Sequence, residues 1–203
     1  MKSREPVLVH GRDEWDQVNV PESTFRNRLD AIRDEMSREG VDTLLVYGRG
    51  DDDGHLCYVS NLVNKVPNWG LLVSITQDGV LVRNERSSRT RPVIERGTYI
   101  EDIQFVDNVV EDIADIVAGP DSTVATAGFD RLPYQQRRRF ARGVGDREVV
   151  SFDDVLMSLR MDKSRRERDQ VARAARMLTD VHDSLPAGDQ QVEETTLAGE
   201  ADR

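Results

Sequence analysis

The sequence predicts an α/β fold, a layered domain over residues 21–160 followed by a helical tail. Three observations carry the prediction. Apolar runs of strand length, of which Thr43–Tyr47 is the clearest, alternate with segments whose apolar residues recur at helical spacing. Asp78-Gly79 separates two of those runs and marks a hairpin. Ser164 and Glu167 stand at capping-box spacing ahead of an amphipathic run, where the serine oxygen and the glutamate carboxylate satisfy each other's backbone N–H.

Taken in order, Met1–Val20 mixes charge with few apolar positions and is expected to be a loosely held arm. Pro21 and Glu22 lead into a helix, capped at Ser23 or Thr24, with Phe25, Leu29, Ile32 and Met36 on one stripe and Gly40 at its end. Thr43–Tyr47, bounded by Gly48, is continuously apolar and predicts a strand buried on both faces. Residues 49–54 form a polar loop that feeds the segment His55–Asn61. Strands over Trp69–Thr76 and Val80–Arg83 flank the Gln77-Asp78-Gly79 turn. Ser88–Arg96 is expected to be helical, with Pro92 tolerated only in a first turn.

A strand over Ile100–Val106 precedes a helix over Val109–Val117, with Val109, Ile113 and Ile116 facing inward, and a strand over Ser122–Ala127. The domain closes with a proline-opened helix over Pro133–Arg142, a strand over Glu148–Ser151 and a helix over Asp153–Arg160 capped by Asp153. In the tail, Val171, Ala174, Ala175, Leu178 and Val181 share one helical face, and arginines occupy much of the rest. Left uncovered, that stripe is an association surface.

Arg160, Lys163, Ser164 and Glu167 form an Arg-x-x-Lys-Ser-x-x-Glu run ahead of a helix bearing Ala174 and Ala175. This run resembles the entry to the catalytic domain of the creatinase, prolidase and Xaa-Pro aminopeptidase family. Pro186-x-Gly188 and Val192-Glu193-Glu194 resemble the turn and second helix that follow, and the sequence stops at Arg203, inside that helix. The preceding residues resemble the family's amino-terminal domain, with its helix, glycine, Val41-Asp42 and strand opening. Ser60-Asn61-Leu62 stands where a Thr-Gly-Phe-like turn is expected.

The resemblance implies a mixed sheet of about six strands with helices on both faces, and three segments: an arm (1–20), the amino-terminal-like domain (21–160), and a linker helix with the start of a catalytic domain (161–203). In the family, a pair of divalent metals, manganese, cobalt or zinc, is held in the catalytic domain and activates a water. By that likeness no catalytic or metal-binding residue is expected here, and the chain alone is expected to be inactive. The resembled domain contributes to the dimer and limits substrate access. His55 and Tyr58 are the first candidates for substrate contact, with Asn61, Asn64 and Trp69 beside them; the alternative for Tyr58 and Trp69 is packing into the core. A free-standing protein-binding module, or a truncated product without a role, are the competing readings, and the expected partners are a second copy or a catalytic domain.

The remaining chemistry is sparse. The three histidines, His10, His55 and His182, fall in no zinc-ligand spacing. A single cysteine, Cys57, excludes an intrachain disulfide and a Cys-rich zinc site, and its apolar neighbours predict a buried, inert thiol. Asp51-Asp52-Asp53-Gly54-His55 lacks the alternating ligands and distant glutamate of a calcium loop, so a solvated acidic loop is expected. Arg137-Arg138-Arg139 predicts a solvated helix face.

Asp outnumbers Glu 24 to 14, and 25 arginines stand against three lysines, for a net charge of -10. Such a surface suits a salt-rich cytoplasm, or else reflects a high-GC genome that trades lysine for arginine. Its acidity argues against nucleic acid as a partner. No apolar run reaches membrane-spanning length and no basic leader precedes an apolar segment, so a cytoplasmic location is expected.

Overall fold

The computed structural model describes residues 15–49, 54–62, 70–85 and 91–184. At its centre lies β1 (Thr43–Arg49), whose residues 43–48 are all buried, as the unbroken apolar run predicts. β1 pairs antiparallel with β2 (Gly70–Ile75), placing Tyr47 opposite Leu72, and parallel with β5 (Val124–Ala127), placing Val46 opposite Ala127. β2 turns through Gln77-Asp78-Gly79 into antiparallel β3 (Val80–Glu85), the hairpin marked by Asp-Gly. β4 (Asp102–Val106) runs parallel to β3, and β6 (Val149–Ser151) parallel to β5. The result is a mixed six-stranded sheet in the order β4-β3-β2-β1-β5-β6.

Alternation along β1 sends side chains to two cores. Leu44 and Val46 join Val73, Ile75, Val82 and Ala125 beneath α1 (Glu22–Arg38), α2 (Gly54–Ser60), α3 (Arg91–Gly97) and α5 (Asp153–Met161), which contribute Ile32 and Met36, Leu56 and Val59, Ile94, and Leu156. Leu45 and Tyr47 point the other way, to Leu72, Val109, Val110 and Ile113, and to Val144 of α4 (Tyr134–Val144). Helices therefore cover both faces. The packing reaches back to Trp15, whose ring meets Phe25 edge-on at 5.8 Å and whose Nε1 donates to the Val20 carbonyl at 2.6 Å.

Several local expectations are corrected. α1 begins after Pro21, which stands at the N-cap and offers no side-chain oxygen, so Ser23 and Thr24 lie inside the first turn, where Thr24 N–H donates to the Pro21 carbonyl at 2.9 Å. Residues 109–117 do not form an α-helix. Asn108 Oδ1 accepts the N–H of Val110 at 3.1 Å, and Asp112 takes a left-handed φ of 52°. These local alternatives leave only a 3-10 turn at Ile113–Asp115, although Val109 and Ile113 are buried as expected.

The segment His55–Ser60, given no element from the sequence, belongs to α2, which already includes Gly54 of the expected loop; Asn61, at φ 62°, terminates that helix, and its side chain donates to the Gly97 carbonyl at 2.7 Å. Cys57, on α2, is half-buried rather than fully buried. Arg137 is not merely solvated, because its guanidinium donates to the carbonyls of Leu132 and Asp130 and pins the 3-10 turn Phe129–Arg131.

The chain divides into two compact units, Met1–Met161 and Asp162–Arg203. The second contains α6 (Arg165–Ser184). Its capping box is formed on both sides: Glu167 N–H donates to Ser164 Oγ at 3.2 Å, and Ser164 N–H to Glu167 Oε2 at 2.8 Å. The apolar stripe is exposed, with Leu178 at 71% and Val171 at 62%. Among the described residues, no helix is long and apolar enough to cross a membrane.

Candidate functional site

The sheet's connections create a crevice. β1 and β5 are parallel neighbours, yet the chain leaving β1 enters α2 on one face, whereas the chain leaving β5 enters α4 on the other. Two diverging connections leave a gap beyond the carboxyl ends of the strands, the place where open α/β sheets hold ligands. Here it is a hollow of about 420 Å³, lined by Tyr47, His55, Gly128, Asp130, Arg131, Asp153, Asp154, Met157 and Arg160.

Asp153 is held rather than capping. Gly128 N–H donates to its Oδ1 at 2.8 Å and Ser151 Oγ donates to its Oδ2 at 3.0 Å, so the carboxylate ties α5 to the end of β5 instead of satisfying its own helix. This corrects its expected role as the α5 cap. His55 bridges two groups on one face of α5: Nε2 lies 3.7 Å from Asp153 Oδ1, and Nδ1 lies 3.3 Å from Arg160 Nη1. A guanidinium only donates, so that contact requires Nδ1 to accept and assigns the ring proton to Nε2, facing the carboxylate. Gly54 completes the fit, since a Cβ there would overlap the Arg160 guanidinium.

Tyr58, also on α2, faces its neighbours rather than the crevice. Its hydroxyl donates to the Leu159 carbonyl at 3.3 Å, and the Arg28 guanidinium stands 4.4 Å over its ring while donating to its carbonyl oxygen at 3.0 Å. Of the five substrate-contact candidates, the structure thus places His55 in the crevice, Tyr58 between α1 and α5, and Asn61 at the end of α2. Asn64 and Trp69 lie outside the described residues, as do Asp51–Asp53.

Sequence reasoning did not assign Gly128, Asp130, Arg131, Asp153 or Asp154 to any site. The available signal was a glycine directly after a strand and acidic residues opening a helix, both of which also mark ordinary turns and first turns. Tyr47 borders the same hollow, while its ring packs with Leu72 and Val109 and its hydroxyl is buried. Burial pushes it up to about 12, against the opposing effect of the Arg49 charge. A second, shallower hollow of about 550 Å³ lies between Val110–Ala114 and α4, crossed by an Arg139–Glu111 pair at 3.7 Å. Among the described residues, no group of three or more His, Cys, Asp or Glu is placed to hold a metal ion.

Comparison with known proteins adds the following. A family model described as the Creatinase/Prolidase N-terminal domain matches residues 28–161. No curated protein matches the sequence. Among solved structures, the prolidase from Pyrococcus horikoshii OT3 is similar at TM-score 0.66 and 14% identity, over 86% of this chain and 47% of that one. The X-Pro aminopeptidase from Thermotoga maritima MSB8 gives 0.64 and 19%, over 85% and 47%. The Creatinase/Prolidase N-terminal domain of an X-PRO dipeptidase from Streptococcus pyogenes gives 0.52 and 13%, over 65% and 98%. The chain spans about half the length of the first two, and at these identities the likeness is one of fold.

Proposed function

The chain belongs to the Creatinase/Prolidase N-terminal domain family, and we propose that it is the non-catalytic part of a metal-dependent Xaa-Pro peptidase or creatinase-like hydrolase, contributing to dimer contacts and limiting substrate access. One observation carries this reading. Directly beyond the matched domain, the Arg160–Glu167 run forms its capping box and starts α6, a helix whose apolar stripe is exposed and calls for cover by a catalytic domain or a second copy. The divalent metals, and the water they activate, belong in this reading to a catalytic domain.

The purified 203-residue chain, supplied with manganese, cobalt or zinc, is expected to hydrolyse neither Xaa-Pro dipeptides nor creatine. Metal-dependent turnover above a mock preparation overturns the reading. Sedimentation tests the stripe separately: the chain is expected to self-associate at tens of micromolar, and Leu178→Asp to shift it toward monomer. A strict monomer unaffected by that change removes α6 as an association surface.

A further inference from the structure

We propose that His55 is a pH-sensitive latch between α2 and α5: while its ring is neutral it holds the Arg160 guanidinium over Gly54, and when the ring is protonated it lets that guanidinium go. Three contacts build the device. His55 Nδ1 lies 3.3 Å from Arg160 Nη1 and Nε2 lies 3.7 Å from Asp153 Oδ1, while the guanidinium sits where a Cβ on Gly54 would overlap it. With only 15% of the His55 side chain exposed, little water can stand in for a lost partner. The latch stands apart from the hydrolase reading, because it concerns a proton and not turnover.

The contact between His55 and Arg160 is conditional on the state of the ring. A guanidinium offers donors only and keeps its charge, so an imidazole can meet it only through a nitrogen with a free lone pair. Protonation removes that lone pair. It also sets a second positive charge beside the first, turning a hydrogen bond at 3.3 Å into a like-charge contact. Imidazole is the side chain whose ordinary titration falls between about pH 5 and 8, so the exchange lies within reach of ordinary changes in acidity.

Asp153 decides which side chain moves. Its carboxylate is fixed by Gly128 N–H at 2.8 Å and Ser151 Oγ at 3.0 Å and faces Nε2, so a protonated ring keeps a held anion on one side as it loses Arg160 on the other. Arg160 is therefore the group released. The other charges around the ring come from α5 as Asp154, and from the turn after β5 as Asp130 and Arg131, which stand 4.0 Å apart and offset one another. Cys57 and Tyr58 follow His55 on α2, Asp51–Asp53 precede it in the sequence, and Tyr47 enters from β1. Tyr58 also ties α2 to the last turn of α5, donating to the Leu159 carbonyl at 3.3 Å, but a phenol ordinarily keeps its proton across this range. Protonation of His55 thus breaks one of two ties and takes the Arg160 guanidinium out of the lining of the crevice.

The test is nuclear magnetic resonance of the isotope-labelled 203-residue chain from about pH 5 to 8.5, reading the His55 ring nitrogens and the Arg160 Nε–H signal. Loss of one ring in His55→Gln identifies it among the three histidines. An Nε2–H tautomer is expected at high pH, with an Arg160 signal that moves at the midpoint of the His55 titration. Arg160→Gln, which keeps a donor and removes the charge, should raise that midpoint by about half a unit or more, and Asp153→Asn should lower it. Tyr58→Phe loosens the same two helices without touching a charge and should leave the midpoint in place, which separates the latch from a general slackening of α5. An Arg160 signal that stays flat while His55 titrates, an Nδ1–H tautomer at high pH, or a midpoint that Arg160→Gln leaves unmoved or lowers, overturns the proposal.

Discussion

Replacing Gly128 with alanine tests how tightly the crevice and the sheet are joined. Gly128 has φ +73°, in the left-handed region, and a Cβ there would overlap the carbonyl oxygen of Tyr47. Gly40, at φ +67°, has the same backbone handicap with nothing within 4 Å of its Cβ position. Gly40→Ala therefore measures the conformational cost alone, ~1–2 kcal/mol, reduced by the lower entropy of the unfolded chain to about 1 kcal/mol.

Gly128→Ala adds a backbone collision. The obstructing atom belongs to the central strand, fixed by pairing on both sides, and the moving atom follows β5 and donates its N–H to Asp153. Forcing such a contact apart costs a further ~1–3 kcal/mol, for a total of about 3 kcal/mol. With a urea m-value of ~2 kcal/mol/M, the unfolding midpoint should fall by roughly 1.5 M for Gly128→Ala and roughly 0.5 M for Gly40→Ala. Urea melts followed by far-UV circular dichroism read both. Midpoints equal within about 0.2 M, an error corresponding to roughly 0.4 kcal/mol, would show that the approach of Gly128 to β1 carries no energetic weight.

Two further outcomes follow from charge. Burial raises the Tyr47 and Tyr99 hydroxyls to about 12 from an ordinary 10.0, so both remain neutral in the fold over a range where the unfolded chain ionises. Their contribution is complete below pH 10 and is lost as pH rises to about 12, by ~2 kcal/mol each; Tyr99→Phe should flatten part of that alkaline fall, and a pH-independent urea midpoint between 9 and 11.5 would contradict it. For the 38 carboxylates, the Debye length shrinks from ~10 Å at 0.1 M to ~3 Å at 1 M. The melting temperature should therefore climb with KCl below about 0.5 M, and less in a chain with Asp51, Asp52 and Asp53 changed to Asn; a flat profile, or an equal rise in both chains, assigns the composition to codon usage.

What the sequence revealed of the fold divides by the range of the interaction. β1, the Asp78-Gly79 hairpin, the glycine stop at Gly40 and the Ser164–Glu167 capping box are set by a few adjacent residues, and each is where the pattern placed it. Val109–Val117 shows the limit. Its apolar spacing identified buried residues correctly, but periodicity cannot see that Asn108 captures the Val110 N–H and that Asp112 accepts a left-handed φ. Asp153 fails for a related reason: an acidic residue opening a helix has the local signature of a cap, while its oxygens are claimed by Gly128 and Ser151.

The candidate site was less legible because it has no local signature. His55 and Arg160 are 105 residues apart, and nothing in either neighbourhood predicts that a guanidinium will rest on an imidazole over the bare backbone of Gly54. The crevice follows from a choice of faces. It exists because α2 crosses one side of the sheet and α4 the other, and that choice depends on which side buries the apolar face of each helix, a property of the assembled sheet. The residues that line the hollow are consequently ordinary in sequence: one helix start, one turn after a strand, one face of α5. Two of them stood out beforehand, His55 as a candidate for substrate contact and Arg160 as the first residue of the run leading to α6. The side chain near the end of the matched domain is thus also one that lines the crevice and meets His55 across it.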